Sequence, residues 1–226
     1  MSSTSMLHSV PLFAGLTEEE LSFLADRLGK RAFGKGVIIF HEGSLGETLY
    51  IIEAGKVRIF ALTESGQEIS VNIYGQGEVF GELSVLDGLP RSAGAVAIED
   101  TVCLTLQRDD LLQFLENCPR VALSIIRVLS ARLRYTTQYA ESLAFLDVCG
   151  WVAAKLLELG ERYGVKRDGI EIELRLTQGE LASWVGTSRE SVNKVLRMFQ
   201  GQGLIEVKDL KITLLDRRGL KRLIVY

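Results

Sequence analysis

Phe80-Gly81-Glu82-Leu83 and Arg91-Ser92-Ala93 set a glycine, a carboxylate and a guanidinium around a short segment. Asp87 is the only other charge between Glu82 and Arg91. An Arg fork with nearby backbone N–H donors can hold a singly charged phosphate. A carboxylate can accept from a sugar hydroxyl. Gly81 lets the backbone approach a ligand with no Cβ in the way. A cyclic nucleotide presents that combination, one phosphate charge and one free 2'-OH. Taken alone, Glu82 and Arg91 are better read as a surface ion pair at a hairpin.

The elements around this segment are strands. Val37–Phe40, Thr48–Glu53, Lys56–Thr63, Glu68–Tyr74 and Thr101–Leu106 are short β-rich runs separated by glycines, the pattern of a jelly-roll barrel or sandwich. Before them, Thr17-Glu18-Glu19-Glu20 forms a capping box that opens a helix with Leu21, Leu24 and Leu28 on one face. After them, Arg108–Glu116 reads as a short helix, and Pro119 suits the first turn of a much longer one. Along that helix Ala122, Ile126, Leu129, Leu133, Thr136, Ala140 and Leu143 alternate spacings of four and three. This predicts a coiled-coil seam and a homodimer. Ile125 and Val128 lie off the seam, toward a barrel. Phe145-Leu146-Asp147 interrupts the helix, and Asp147 caps a new one carrying Trp151, Val152, Leu156 and Leu159. Tyr163–Gly169 reads as an exposed loop and Ile170–Leu174 as a strand.

The C-terminal end reads as a different chemistry. Thr177-Gln178-Gly179-Glu180 is a second capping box. It opens a short helix with Leu181, Ala182 and Val185 inward, ended by Gly186-Thr187. Ser188 caps a further helix with Val192, Val195, Leu196 and Phe199 on one face. Arg189, Glu190, Asn193, Lys194 and Arg197 fall on the other. Two short helices around a glycine turn, the second polar and basic outside, form a helix-turn-helix. Leu204–Val207 and Lys211–Leu214 then make a wing around Lys208-Asp209. Residues 188–226 hold nine Lys/Arg against four Asp/Glu, a surplus of +5, so the chain's net −3 leaves −8 elsewhere. A basic end on an acidic body fits either a solvated basic face or a local anionic partner; with the helix-turn-helix beside it, the expected partner is double-stranded DNA.

The 226 residues are 47% hydrophobic and 24% charged, the balance of a soluble globular chain. Cys103, Cys118 and Cys149 are odd in number and widely spaced, which fits a reducing compartment. Met1–Val10 has no basic start and no long apolar core, and no run is long enough to span a membrane. The expected location is therefore the cytoplasm, with no membrane partner. His8 and His41 are the only histidines, so no metal site is expected. An enzyme using Glu82 as general base would need a metal cluster or a nucleophile–base pair, and neither is offered. His41 or Cys103 as haem ligands compete with a turn residue and a core residue.

The block Gly81-Glu82-Leu83 with Arg91-Ser92-Ala93 resembles the phosphate-binding cassette of cyclic-nucleotide-binding domains. From about Leu12 to Val225 the chain resembles the CRP/FNR family of bacterial transcription regulators, and within it the cyclic AMP receptor branch. The resemblance implies an α+β architecture. A cyclic-nucleotide-binding jelly-roll domain would occupy residues 1–118, a dimerisation helix and hinge 119–146, and a winged helix-turn-helix 147–226. It implies a cyclic-AMP-responsive homodimeric regulator, with RNA polymerase as a partner if it activates; the alternatives are the same architecture with cyclic GMP, haem or no effector, or a nucleotide-sensing regulatory subunit that does not bind DNA. The run Leu143-Ala144-Phe145-Leu146-Asp147-Val148 resembles the family's hinge. Aligned on it, Thr136 would meet adenine in its own subunit and Thr137 the ligand of the partner. Gly81, Glu82, Leu83, Arg91, Ser92 and Ala93 would hold sugar and phosphate. Thr177, Gln178, Ser188, Arg189, Glu190, Asn193, Lys194 and Lys211 would meet DNA, with Arg189 and Glu190 reading bases. Three departures stand out. The cassette is one residue shorter between Glu82 and Arg91. Lys194 replaces an arginine and so lacks the bidentate fork. Gln178 and Gly179 replace a basic residue and a glutamine.

Overall fold

The computed structural model describes residues 6–8, 10–13, 15–62, 68–145, 147–174 and 177–224, without the side chains of residues 138–145. Thr63 at the end of a predicted strand, Leu146 of the hinge, and the seam side chains of Ala140 and Leu143 lie outside the described residues. The chain divides into two compact units, Met1–Arg134 and Tyr135–Tyr226.

In the first unit, helix α1 (Glu18–Ala25) opens on the predicted capping box. Thr17 Oγ1 accepts from Glu20 N–H, and the Glu20 carboxylate accepts from Thr17 N–H. Eight strands follow: β1 (Gly29–Phe33), β2 (Ile38–Phe40), β3 (Thr48–Ala54), β4 (Val57–Leu62), β5 (Glu68–Tyr74), β6 (Val79–Phe80), β7 (Gly94–Ala97) and β8 (Thr101–Gln107). Helix α2 (Glu82–Asp87) sits between β6 and β7, and α3 (Arg108–Asn117) follows β8. The strands form two antiparallel sheets, ordered β1-β8-β3-β6 and β2-β7-β4-β5. One core lies between them, with Tyr50, Ile52, Phe80 and Cys103 from the first sheet and Val57, Tyr74 and Ala95 from the second. The alternate residues Leu49, Ile51, Leu104 and Leu106 face a second core of helical residues. Burial on both faces explains why β3 reads as a nearly unbroken apolar run.

Three strands of this unit escaped the sequence reading. Residues 29–33 include Lys30 and Arg31, are mostly exposed, and only the full register with β8 makes them a strand. Strand β7 is built of small residues, and a Cβ at Gly94 would collide with the Phe60 ring. Strand β6 is only two residues long. Tertiary pairing decided all three against weak local preference.

Helix α4 runs from Pro119 to Phe145. Val121 and Ile125 are buried in the first unit's core, with Val128 and Leu129 packed against it. Ile126 and Leu133 are 56% and 69% exposed. The barrel-facing and seam faces therefore separate as expected, except that Leu129 also touches the barrel core.

The second unit holds α5 (Val148–Tyr163), β9 (Gly164–Lys166), β10 (Ile170–Ile172), α6 (Gln178–Val185), α7 (Arg189–Gly201), β11 (Ile205–Lys208), β12 (Lys211–Leu214) and α8 (Arg217–Arg222). Asp147 caps α5 by accepting from Gly150 N–H at 2.7 Å. The predicted 163–169 loop is a hairpin instead, with β9 paired to β10 from Lys166↔Ile170 to Gly164↔Ile172. The sheet order is β11-β12-β10-β9. The wing turns one residue later than its expected centre, at Asp209 and Leu210, both in the left-handed region with φ of 51° and 64°. That matches the two-residue hairpin turn that follows the strand twist.

Candidate nucleotide site and DNA interface

Glu82 and Arg91 are both buried, at 7% and 5% exposure, and they are not each other's partner. The surface ion pair is therefore not what forms. Gly81 enters α2 in the left-handed conformation, φ 75°, and offers no side-chain cap. A Cβ there would lie 2.6 Å from an Arg91 Nη atom, so only glycine fits. Beyond α2, Gly88 is again left-handed, and Asp87 accepts from Leu89 N–H at 2.9 Å. The backbone then returns to Arg91, whose N–H donates to Ser44 and whose carbonyl accepts from Gly43, both at 2.8 Å.

The Arg91 guanidinium is fixed on nearly every side. Nη1 donates to the Gly81 carbonyl at 2.6 Å and to Ser84 Oγ at 2.8 Å; Nη2 donates to the Thr48 carbonyl at 2.7 Å. Its Cζ lies 4.2 Å from the Phe40 ring centroid. These partners are neutral, and Arg91 forms no ion pair among the described residues. Its Nε is buried with no hydrogen-bond partner. Burial holds its pKa below the ordinary arginine value, with Tyr50 and Glu82 acting the other way. A Cβ at Gly46 would meet Nε at 2.5 Å, so this close approach needs glycine at residue 46. A rigid cation with one unspent donor and no counter-charge fits an anion such as a phosphate.

Glu82 pairs instead with Arg132 of α4, Oε1 to Nη1 at 2.5 Å. Arg132 also donates to the Val79 carbonyl and lies over the Tyr74 ring, 4.5 Å from its centroid. Burial lowers its pKa, but the Glu82 carboxylate and Tyr74 more than offset this and hold it above the ordinary value. Arg132, Ser84 and Phe40 were not among the site residues expected from the sequence. Arg132 had a signal: Val121, Ile125, Val128 and Arg132 continue the barrel-facing stripe of α4. A cation in an apolar stripe marks a buried acid opposite. Leu83 and Ser92 are exposed and Ala93 is half-buried beside the cassette. Thr136 and Thr137 are exposed on α4 in the second unit.

In the second unit, α6 and α7 meet at Gly186, left-handed at φ 63°. Thr177 caps α6 through a complete capping box, and Ser188 caps α7 by accepting from Ser191 N–H at 3.1 Å. Val192, Val195, Leu196 and Phe199 are buried. Arg189, Glu190 and Lys194 are exposed and Asn193 is half-buried. Glu190, Asn193, Lys194 and Arg197 line one shallow depression on the outer face of α7. Thr177 is exposed and Gln178 half-buried at the start of α6. Lys211 on β12 is spoken for: its ammonium lies 2.7 Å from Glu171 of β10.

Comparison with known proteins gives the same two parts in the same order. A family profile described as "Cyclic nucleotide-binding domain" matches residues 30–118. One described as "Crp-like helix-turn-helix domain" matches residues 152–223. A CRP-like cAMP-activated global transcriptional regulator of Mycobacterium tuberculosis is 36% identical over 212 residues, covering 93% of this chain and 95% of that protein. A cyclic AMP receptor protein of Thermus thermophilus is 38% identical over 197 residues, covering 87% and 88%. The solved c-di-GMP responsive global regulator CLP of Xanthomonas campestris matches with a TM-score of 0.79 at 26% identity, covering 88% of this chain and 100% of that one. With both domains in order and relatives matched over nearly their whole length, the chain belongs to the CRP/FNR family, whose members are DNA-binding transcription regulators and not enzymes.

Proposed function

We propose that this regulator responds to cyclic AMP and acts as a homodimer on near-palindromic operators. The observation that carries the effector reading is Arg91, a buried guanidinium with an unpartnered Nε and no counter-charge. Burying an unpaired ion costs several kcal/mol, on the order of the binding energy a phosphate would return. Arg91, the N–H groups of Leu83 and Ala93 and the Ser92 hydroxyl would hold the phosphate, close to Gly81. Glu82 spends one oxygen on Arg132, and a carboxylate has acceptor sites to spare, so it would take the ribose 2'-OH. Thr136 would meet the base in its own subunit and Thr137 the base of the other. The exposed Ile126 and Leu133 support a helix-to-helix contact between two copies.

On DNA, Arg189 and Glu190 would read base edges from the first turn of α7, with Asn193 and Lys194 beside them. Lys194 would contact guanine through a single ammonium. Thr177, Gln178 and Ser188 would meet phosphates. Lys211 would add less there than an unpaired lysine, because Glu171 already neutralises it. The cyclic AMP reading is favoured by the Mycobacterium and Thermus relatives; the Xanthomonas neighbour makes c-di-GMP the competitor to include. The test is calorimetric titration with cyclic AMP, cyclic GMP and c-di-GMP, followed by selection of sites from random DNA. Tightest binding by cyclic AMP and half-sites about one helical turn apart are expected. Binding by c-di-GMP alone, or monomeric binding to an asymmetric site, would reject the reading.

A further inference from the structure

Lys155 of α5 is buried, at 5% exposure. Its ammonium donates to the Tyr135 hydroxyl and to Glu158 Oε2, each at 3.0 Å. Tyr135, on α4, donates to the Glu158 carboxylate, with its oxygen 3.1 and 3.2 Å from the two acceptors. Arg162 also approaches Glu158, at 3.7 Å. The same ammonium lies 5.2 Å from the centroid of Trp184, on α6 of the helix-turn-helix. Hydroxyl, ammonium and carboxylate thus close a triangle between the second half of α4 and α5, and the ammonium lies over a ring of the next helix.

An apolar side chain at position 155 would fill this space without the cost of desolvating a charge. The network adds direction. It is satisfied in one arrangement of α4 against α5, and a slide by one turn would strand a buried ammonium. Tyr135 immediately precedes Thr136 and Thr137, the residues proposed to meet the nucleotide base. A ligand that moves this stretch of helix must therefore move or strain the triangle.

We propose that Tyr135, Lys155 and Glu158 form a latch that transmits the state of the effector helix to α5 and, through Trp184, to the helix-turn-helix. Tyr135 is a positioning residue in this scheme: it touches neither nucleotide nor DNA and acts through Lys155. The inference rests on the effector reading given above.

The test uses the full-length protein and the operator selected by the wild type. Operator affinity is measured with and without saturating cyclic AMP for wild type, Tyr135→Phe, Lys155→Met and the double variant. Losing the hydroxyl should cut the ratio of the two affinities about fivefold or more, within the usual range of allosteric coupling. The double variant should lose less than the product of the single losses, because both substitutions break one network. In nucleotide-free Tyr135→Phe, amide exchange in peptides covering residues 148–158 should quicken. A folded Tyr135→Phe with the wild-type ratio and wild-type exchange would overturn the latch. If Tyr135→Phe does not fold, a folded Lys155→Met with the wild-type ratio would overturn it equally. Wild-type protein whose operator affinity ignores cyclic AMP would overturn the effector reading, and the latch with it. A wild type that responds beside a variant that responds equally would overturn the latch alone.

Discussion

Replacing Arg91 by alanine separates binding from folding. In the nucleotide-free protein the guanidinium satisfies the carbonyls of Gly81 and Thr48 and the Ser84 hydroxyl. Its loss strands those acceptors, at about 1 kcal/mol each for an ordinary hydrogen bond. The same substitution removes a buried charge that has no counter-ion, which works in the opposite direction. The two effects offset, so the unliganded fold should lose no more than about 2 kcal/mol. Ligand binding has no such compensation. A truncated partner of a desolvated charge pair costs about 2–5 kcal/mol, which is roughly thirtyfold to several thousandfold in Kd. Calorimetry with cyclic AMP reads this directly. Thermal unfolding gives an independent measure: wild type at a hundred times its Kd gains about 2.7 kcal/mol from the ligand, and Arg91→Ala at that concentration should gain no more than about 0.9 kcal/mol. An Arg91→Ala protein that binds within threefold of wild type would refute the assignment of Arg91 as the phosphate cation.

Gly81→Ala should abolish nucleotide binding and destabilise the barrel, since a left-handed alanine costs about 1–2 kcal/mol and its Cβ would lie 2.6 Å from the Arg91 guanidinium; paired calorimetry and melting detect both losses. Arg132→Met strands Glu82. Breaking a fully buried pair costs about 3–5 kcal/mol, and partial exposure of Arg132 should reduce this to about 2, read in parallel as a lower melting temperature and a weaker Kd for cyclic AMP. Leu133→Glu should leave the barrel folded, because Leu133 is 69% exposed, yet yield monomers that no longer retard operator DNA; a dimer persisting at micromolar concentration in sedimentation would move the seam elsewhere. Arg189→Ala should relax preference at one base pair of each half-site by about 1–3 kcal/mol, visible in repeated site selection.

Much of this molecule was legible from periodicity and caps. The capping boxes at Thr17 and Thr177, the caps at Asp147 and Ser188, and the long helix from Pro119 formed where the residues placed them, because each is a local arrangement of a few side chains and backbone donors. The helix-turn-helix was legible for the same reason. What stayed hidden was non-local. Strand β1 exists because β8 lies beside it, and β9 because β10 does. The partner of Glu82 was hidden too: residue 82 and residue 132 are fifty positions apart, and Arg91 looked like the natural mate. The fold instead gives Glu82 its own cation and leaves Arg91 without an ion-pair partner among the described residues; the apolar stripe of α4 flags Arg132 as facing an acid, but nothing along the chain names that acid as Glu82.

Helix α4 has a consequence for how such a chain can change in length. Val121, Ile125, Val128 and Arg132 are aligned on one stripe by a spacing of four, three and four, and Tyr135 follows three residues later. Each residue turns the helix by about 100°. A single insertion between Arg132 and Tyr135 would keep every residue type and still turn the helix beyond it by about 100° out of line with the stripe before it. Insertions of seven come close to restoring the alignment. Point substitutions can be absorbed along this helix one at a time, whereas its length is quantised. Natural drift in size should be confined to the turns between strands, with this rod kept at a fixed count of residues.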